Sequence, residues 1–132
     1  MFFFTMKKVD FLIGGVQKGG TTSLSAELSA HPDILFSKKK EIHYFDLHYK
    51  KSESWYHKHF AFMPNKINGE CSPFYMYWRP CYKRIHTYNP NIKWIFLLRN
   101  PIERAFSAYT MSKNRNRESL TFSEAIRTEH IR

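Results

Sequence analysis

Phe11-Leu12-Ile13-Gly14-Gly15-Val16-Gln17-Lys18-Gly19-Gly20-Thr21-Thr22-Ser23-Leu24 runs from apolar residues, through a glycine-rich turn carrying one lysine, into hydroxyl side chains that open a helix. This is the layout of a phosphate cradle. Glycine lets backbone approach an anion closely, successive N–H groups and a helix N-terminus direct positive partial charge at it, and Lys18 adds a full charge. The nucleotide-binding loop of kinases and ATPases reads G-x-x-x-x-G-K-[ST]. Counted from Gly14, this chain has Gly19 followed by Gly20 and Thr21, so glycine stands where that lysine belongs. The displaced lysine argues against phosphoryl transfer with ATP and Mg²⁺.

Outward from the loop, the order of elements is α/β. A strand over about Val9 to Val16 leads to a helix from Thr21 to Ala30, which His31-Pro32 ends because proline disfavours helical geometry in the residue before it. Ile34-Leu35-Phe36 reads as a short strand, Glu53 to Phe60 as helix, Lys66 to Cys71 as extended chain, and Pro80 to Tyr88 as helix before the turn Asn89-Pro90-Asn91. The apolar run Ile92 to Leu98 is expected to be a strand buried on both faces of a parallel sheet. Asn100 then caps a helix with Pro101 at its first position and Glu103 at its third, and a further helix starts near Phe122. Strand, crossover helix and parallel strand bring Lys18 and Arg99 to one rim of the sheet.

Lys18-Gly19-Gly20-Thr21-Thr22-Ser23-Leu24 resembles the 5′-phosphosulfate loop of sulfotransferases that use 3′-phosphoadenosine 5′-phosphosulfate (PAPS). A second match is similar to that family's 3′-phosphate motif: the strand Ile92 to Leu98, then R-x-P-x-x-R from Arg99 to Arg104, then Ser107 and Tyr109 on the following helix. Between them, Lys40-Glu41-Ile42-His43-Tyr44-Phe45-Asp46, with Trp55-Tyr56 and Phe60 after it, resembles the heparan-sulfate (N- or 3-O-)sulfotransferase branch. The two phosphate motifs in the right order are far more specific than a glycine loop alone. The resemblance implies a P-loop-like three-layer α/β/α fold with a central parallel sheet. It treats residues 1–132 as one partial, C-terminally incomplete sulfotransferase domain, with the 5′-phosphosulfate loop at 13–24 and the 3′-phosphate motif at 92–109.

It also implies roles. Lys18, Gly19, Gly20, Thr21, Thr22 and Ser23 hold the 5′-phosphate end of PAPS, with Lys18 also neutralising the leaving phosphate. Arg99 and Ser107 bind the 3′-phosphate. Glu41 is the base, with His43 and Asp46 as helpers. PAPS is the donor and 3′-phosphoadenosine 5′-phosphate (PAP) the product, no metal is expected, and the acceptor is a hydroxyl or amine, in the first place of a carbohydrate. Arg104 is expected on the helix surface. The family often has a lysine where Cys71 stands in Glu70-Cys71-Ser72-Pro73, and Tyr75, Tyr77 and Trp78 are either sugar-stacking or core aromatics.

Composition sets the remaining bounds. The 132 residues, 42% hydrophobic and 24% charged, suit one globular domain with a modest core. Twenty-one Lys and Arg against eleven Asp and Glu give a charge of +10, which favours a polyanionic partner without choosing among nucleotide, sulfated sugar and nucleic acid. Runs such as Lys38-Lys39-Lys40 read mainly as solvated faces. Cys71 and Cys81 read as free thiols, and the seven histidines match no metal-ligand spacing. The apolar opening at Met1 to Met6 is too short to span a bilayer and reads as a strand lead-in or a start-site remnant. A cytoplasmic or otherwise soluble product is the default, with the Golgi lumen if the chain belongs to an anchored enzyme. Two other readings stay open: an inactive PAPS/PAP-binding module, and a basic nucleic-acid-binding protein, for which no fold motif is present and which is not the expected partner class.

Overall fold

Strand β1 (Phe11–Gly15) is buried along its whole length, and its alternating side chains feed two cores. Phe11 and Ile13 face one side with Cys71, packing against Leu24, Leu28, Ile34 and Phe36. Leu12 faces the other, with Val9, Phe45, Tyr56, Tyr75, Ile85 and Tyr88. A strand with apolar groups on both faces must be covered on both, which is the three-layer arrangement the family resemblance implies.

The computed structural model describes residues 7–131, so the lead-in expected at residues 1–6 lies outside the described residues. Around β1 the order is α1 (Thr21–Ser29), β2 (Ile34–Phe36), α2 (Glu53–His57), β3 (Ile67–Cys71), a 3₁₀ turn (Pro73–Met76), α3 (Pro80–Tyr88), β4 (Lys93–Phe96), α4 (Pro101–Asn114), α5 (Phe122–Thr128) and a 3₁₀ turn at Glu129–Ile131. The four strands are parallel in the order β2-β3-β1-β4. The chain leaves β1 toward β3 and β2 on one side and returns to β4 on the other. A switch of direction at β1 opens a crevice beyond the carboxyl ends of the strands, where α/β sheets bind ligands.

One expectation about the sheet fails. The run Ile92 to Leu98 does not form a strand buried on both faces: β4 is the edge of the sheet, with Phe96 41% and Leu98 77% exposed. Its apolar character serves pairing and one-sided packing, Ile95 and Leu97 against the α1 side and Trp94 against the other. Pairing continues past β4, since Val16 N–H donates to Leu97 O and Leu97 N–H to Gly15 O, and this ties the entrance of the glycine-rich loop to the segment carrying Arg99.

The second core is strongly aromatic, and its polar heart is Glu70. Fully buried on β3, Glu70 accepts hydrogen bonds from Tyr56 Oη (2.5 Å), Ser72 Oγ (2.6 Å) and Tyr75 Oη (2.8 Å). Burial pushes its carboxyl above the ordinary 4.5, and the three hydroxyl donors pull it back. Tyr75 is therefore a core residue and not a sugar platform, while Trp78 lies under the Arg84 guanidinium, 4.5 Å from its carbon. Both cysteines are free and buried, the Cys81 thiol pushed up to about 12 by desolvation. Among the described residues there is no His, Cys, Asp or Glu cluster able to hold a metal, and no helix long and apolar enough to cross a membrane.

Candidate functional site

The loop after β1 turns at Lys18 (φ 67°) and Gly20 (φ 99°), and Gly20 occupies the N-cap of α1. That left-handed geometry suits glycine and costs a lysine strain. Gly19 is needed for space: a Cβ there would lie 2.8 Å from Leu97 O and 2.9 Å from Val16 O. No side chain caps α1, so the N–H groups of its first turn face outward without an internal partner. The expected cradle thus begins at Gly20. Gly19 donates its N–H to Val16 O at 2.9 Å, so within the loop Gly19 is a spacer and its N–H is already engaged.

Beyond the strand ends, a cavity of about 470 Å³ is lined by Lys18, Gly20, Thr21 and Thr22 from the first loop, Lys40 and Glu41 after β2, Pro73 after β3, Arg99 after β4, and Ser107, Met111 and Arg115 along α4. Each strand's carboxyl end contributes, so the cavity is made by the topology. Asn100 places α4 as its sequence promised, its side chain accepting from Ile102 N–H at 3.0 Å and Glu103 N–H at 3.3 Å, with Pro101 first in the helix. The Arg99 guanidinium donates from Nη1 to Lys18 O at 3.2 Å and reaches Glu103 Oε2 from Nε at 3.4 Å, which docks the second motif on the first.

Of the residues singled out from sequence, Lys18, Gly20, Thr21, Thr22, Glu41, Arg99 and Ser107 meet in this cavity; Gly19, Ser23, His43 and Asp46 do not line it. Ser23 is solvent-exposed on α1. His43 and Asp46 stand behind Glu41 as a chain: Glu41 Oε2 lies 3.6 Å from His43 Nε2, and His43 Nδ1 lies 2.8 Å from Asp46 Oδ2, whose side chain is only 2% exposed. Glu41 (φ 54°) and His43 (φ 57°) both hold left-handed backbone. Strain of this kind persists where surrounding structure enforces it, and it clusters at functional sites. The enforcement is visible: Tyr75 Oη accepts from Tyr44 N–H at 2.9 Å, and Arg84 Nη1 donates to Phe45 O at 2.8 Å and to Asp46 O at 3.2 Å.

Sequence reasoning missed Lys40 and Arg115. Lys40 stands at the end of a basic run and at the head of the Glu41 motif, and neither reading gives it a role of its own; its Nζ donates to Thr22 Oγ1 at 2.5 Å. Arg115 stands eight residues after Ser107, with Met111 between, so a helical repeat of four from Ser107 would have found the face of α4 that lines the cavity. The lining therefore carries Lys18, Lys40, Arg99 and Arg115 against the single carboxylate of Glu41, an excess suited to a polyanion. Arg104 lines a separate cavity of about 470 Å³ between α4 and α5.

Comparison with known proteins fits this geometry. The chain is 40% identical over 107 residues to the membrane-associated sulfotransferase kil1 of Dictyostelium discoideum, an alignment covering 78% of this chain and 23% of that protein. It is 40% identical over 108 residues to heparan sulfate glucosamine 3-O-sulfotransferase 6 of Homo sapiens, covering 77% and 30%. It superposes on the crystal structure of a sulfotransferase from Alicyclobacillus acidocaldarius with a TM-score of 0.85 and 32% identity, covering 95% of this chain and 58% of that one. The chain spans less than a third of the length of the two curated relatives. The sulfotransferase domain model matches residues 8–130, nearly the whole sequence, and the chain belongs to that family.

Proposed function

We propose that this chain binds PAPS in the cavity beyond the strand ends and transfers its sulfuryl group to a hydroxyl or amine, in the first place of a glycan. The observation that carries the reading is the meeting of both phosphate motifs and Glu41 in one cavity of about 470 Å³. The relatives named for heparan sulfate support a carbohydrate acceptor. The donor, when bound, supplies a sulfuryl group on a phosphate leaving group. The first-turn N–H groups of α1 and the Thr21 and Thr22 hydroxyls hold the 5′-phosphate, and Lys18 neutralises the charge that the leaving oxygen gains. Arg99 and Ser107 grip the 3′-phosphate, the group that separates this donor from ATP; guanidinium offers it a bidentate pair of donors.

Glu41 removes the acceptor proton. His43 and Asp46 orient it: the buried Asp46 carboxylate fixes the imidazole through Nδ1, and Nε2 faces Glu41 at ion-pair distance, so the Glu41 carboxyl is held from the protein side while its free edge faces the cavity. Calorimetry with PAP, AMP and ATP tests the donor site. PAP is expected to bind best, and Arg99→Ala to remove its advantage over AMP, a loss of about tenfold or more for a charge-assisted contact. Equal affinity for PAP and AMP in the wild type would overturn the assignment.

A further inference from the structure

We infer that Lys40 is the cation that engages the transferred sulfuryl group, acting from the opposite end of the phosphate loop to Arg99; this rests on the donor reading above. Arg99 is anchored at the start of the loop through Lys18 O, beside Ser107, where the 3′-phosphate is assigned. Lys40 is anchored at the far end through Thr22 Oγ1, in the first turn of α1, and is peptide-bonded to Glu41. A base must sit beside the attacking acceptor atom, and that atom must approach sulfur, so the Glu41 end of the cavity is the sulfuryl end. Of the four basic side chains lining the cavity, Lys40 is the one joined directly to Glu41; Lys18 serves the leaving oxygen, which leaves the outer sulfuryl oxygens to Lys40.

Its present partners leave it free for an anion. An ammonium has three donors, and the Thr22 hydroxyl takes one. Among the described residues Lys40 joins none of the ion pairs, although Glu41 is its neighbour: that carboxylate is turned toward His43. The side chain is exposed, so no burial fixes it where it is. It also lines a smaller space of about 270 Å³, together with Lys38 and Cys71. Cys71 is buried, its thiol donating to Thr21 O at 3.7 Å, with its proton held by desolvation above the ordinary 9.0. The end of β3 therefore brings a neutral group to this side of the site, and Lys40 is the basic side chain that this space shares with the main cavity. Two free N–H donors beside the first turn of α1 match sulfuryl oxygens that project from the 5′-phosphate toward Glu41.

The sulfuryl group distinguishes PAPS from PAP, which gives a binding test independent of any acceptor. Dissociation constants for PAPS and PAP are measured by calorimetry on the wild type, Lys40→Met, Lys40→Arg and, as a control for net charge, Lys39→Met. Lys40 is exposed, so folding is not at stake. The expected result is that Lys40→Met weakens PAPS by about tenfold or more and PAP by less than about threefold, that Lys40→Arg recovers most of the loss, and that Lys39→Met changes neither. Equal weakening of both nucleotides, no weakening of either, or the same loss in Lys39→Met would overturn the role of Lys40. Failure of the wild type to bind either nucleotide would overturn the donor reading beneath it, an outcome separate from these.

Discussion

Tyr75→Phe removes one oxygen atom and should cost the fold about 3 kcal/mol, a figure assembled from two losses. The ring is fully buried and packs edge-on to Phe45 with centroids 5.6 Å apart, contacts that phenylalanine keeps. The hydroxyl donates to Glu70 Oε1 at 2.8 Å and accepts from Tyr44 N–H at 2.9 Å. A hydrogen bond to a carboxylate contributes about 1.5–3 kcal/mol, and a buried N–H stripped of its partner costs about 1–3; the two overlap, because Ser72 and Tyr56 still serve Glu70. Three kcal/mol is a large part of the roughly 5–15 available to a domain of this kind. In urea, where the slope is about 1–3 kcal/mol/M, the midpoint should fall by about 1–3 M at unchanged slope. Sulfuryl transfer should fall as well, because the N–H groups that lose their acceptor lie between His43 and Asp46. A stability loss under about 1 kcal/mol would refute the network as the restraint on the strained Glu41–Asp46 segment.

Glu41→Gln keeps the size of the side chain but cannot take a proton; it should lower turnover by about 10²–10⁴-fold while PAP affinity, read by calorimetry, stays within about threefold. Gly19→Ala places a methyl group within 3 Å of the carbonyl oxygens of Leu97 and Val16, so the loop must shift; PAP affinity should drop by tenfold or more even where thermal melting shows a folded chain. Burial holds His57 below its ordinary 6.5, so between the folded and unfolded values the unfolded chain binds more protons, and stability present above about pH 6.5 is lost as pH falls through the lowered value. Glu70 runs the other way, since its raised value gives stability that is present below 4.5 and lost as pH rises through it. Glu70 is common to both chains, so the excess of the wild-type urea midpoint over that of His57→Gln should grow as pH rises from about 5 to 7.

The elements that carry their own punctuation were legible in the sequence. Proline after His31 and the Asn100-Pro101 start bound their helices without help from distant residues, and α3 runs from Pro80 to Tyr88 as its own sequence indicates. The strand at Ile92 to Leu98 was misjudged because an apolar run records hydrophobicity and not which neighbours cover it. Leu97 is packed while Leu98, one residue on, is exposed. Tyr75 is ambiguous for a related reason: a phenol in the turn after β3 is core only because Glu70, five residues earlier, is buried and needs donors.

Within the site, what the chain announces is what a single segment can hold. Lys18 through Thr22 and Arg99 through Ser107 each form one turn and one helix start, so spacing along the sequence reports their geometry. Lys40 and Arg115 lack that property. Each becomes part of the site only when parallel strands bring the ends of β1, β2 and β4 to one rim, and the meaning of a lysine in a basic run changes once Thr22, eighteen residues earlier, lies 2.5 Å from its nitrogen. The same topology explains why strain is tolerated at Glu41 and His43. Their segment is tied from the 3₁₀ turn after β3 through Tyr75 and from α3 through Arg84, so the left-handed turns that bring Glu41 to the cavity lining are held by packing the site does not contain.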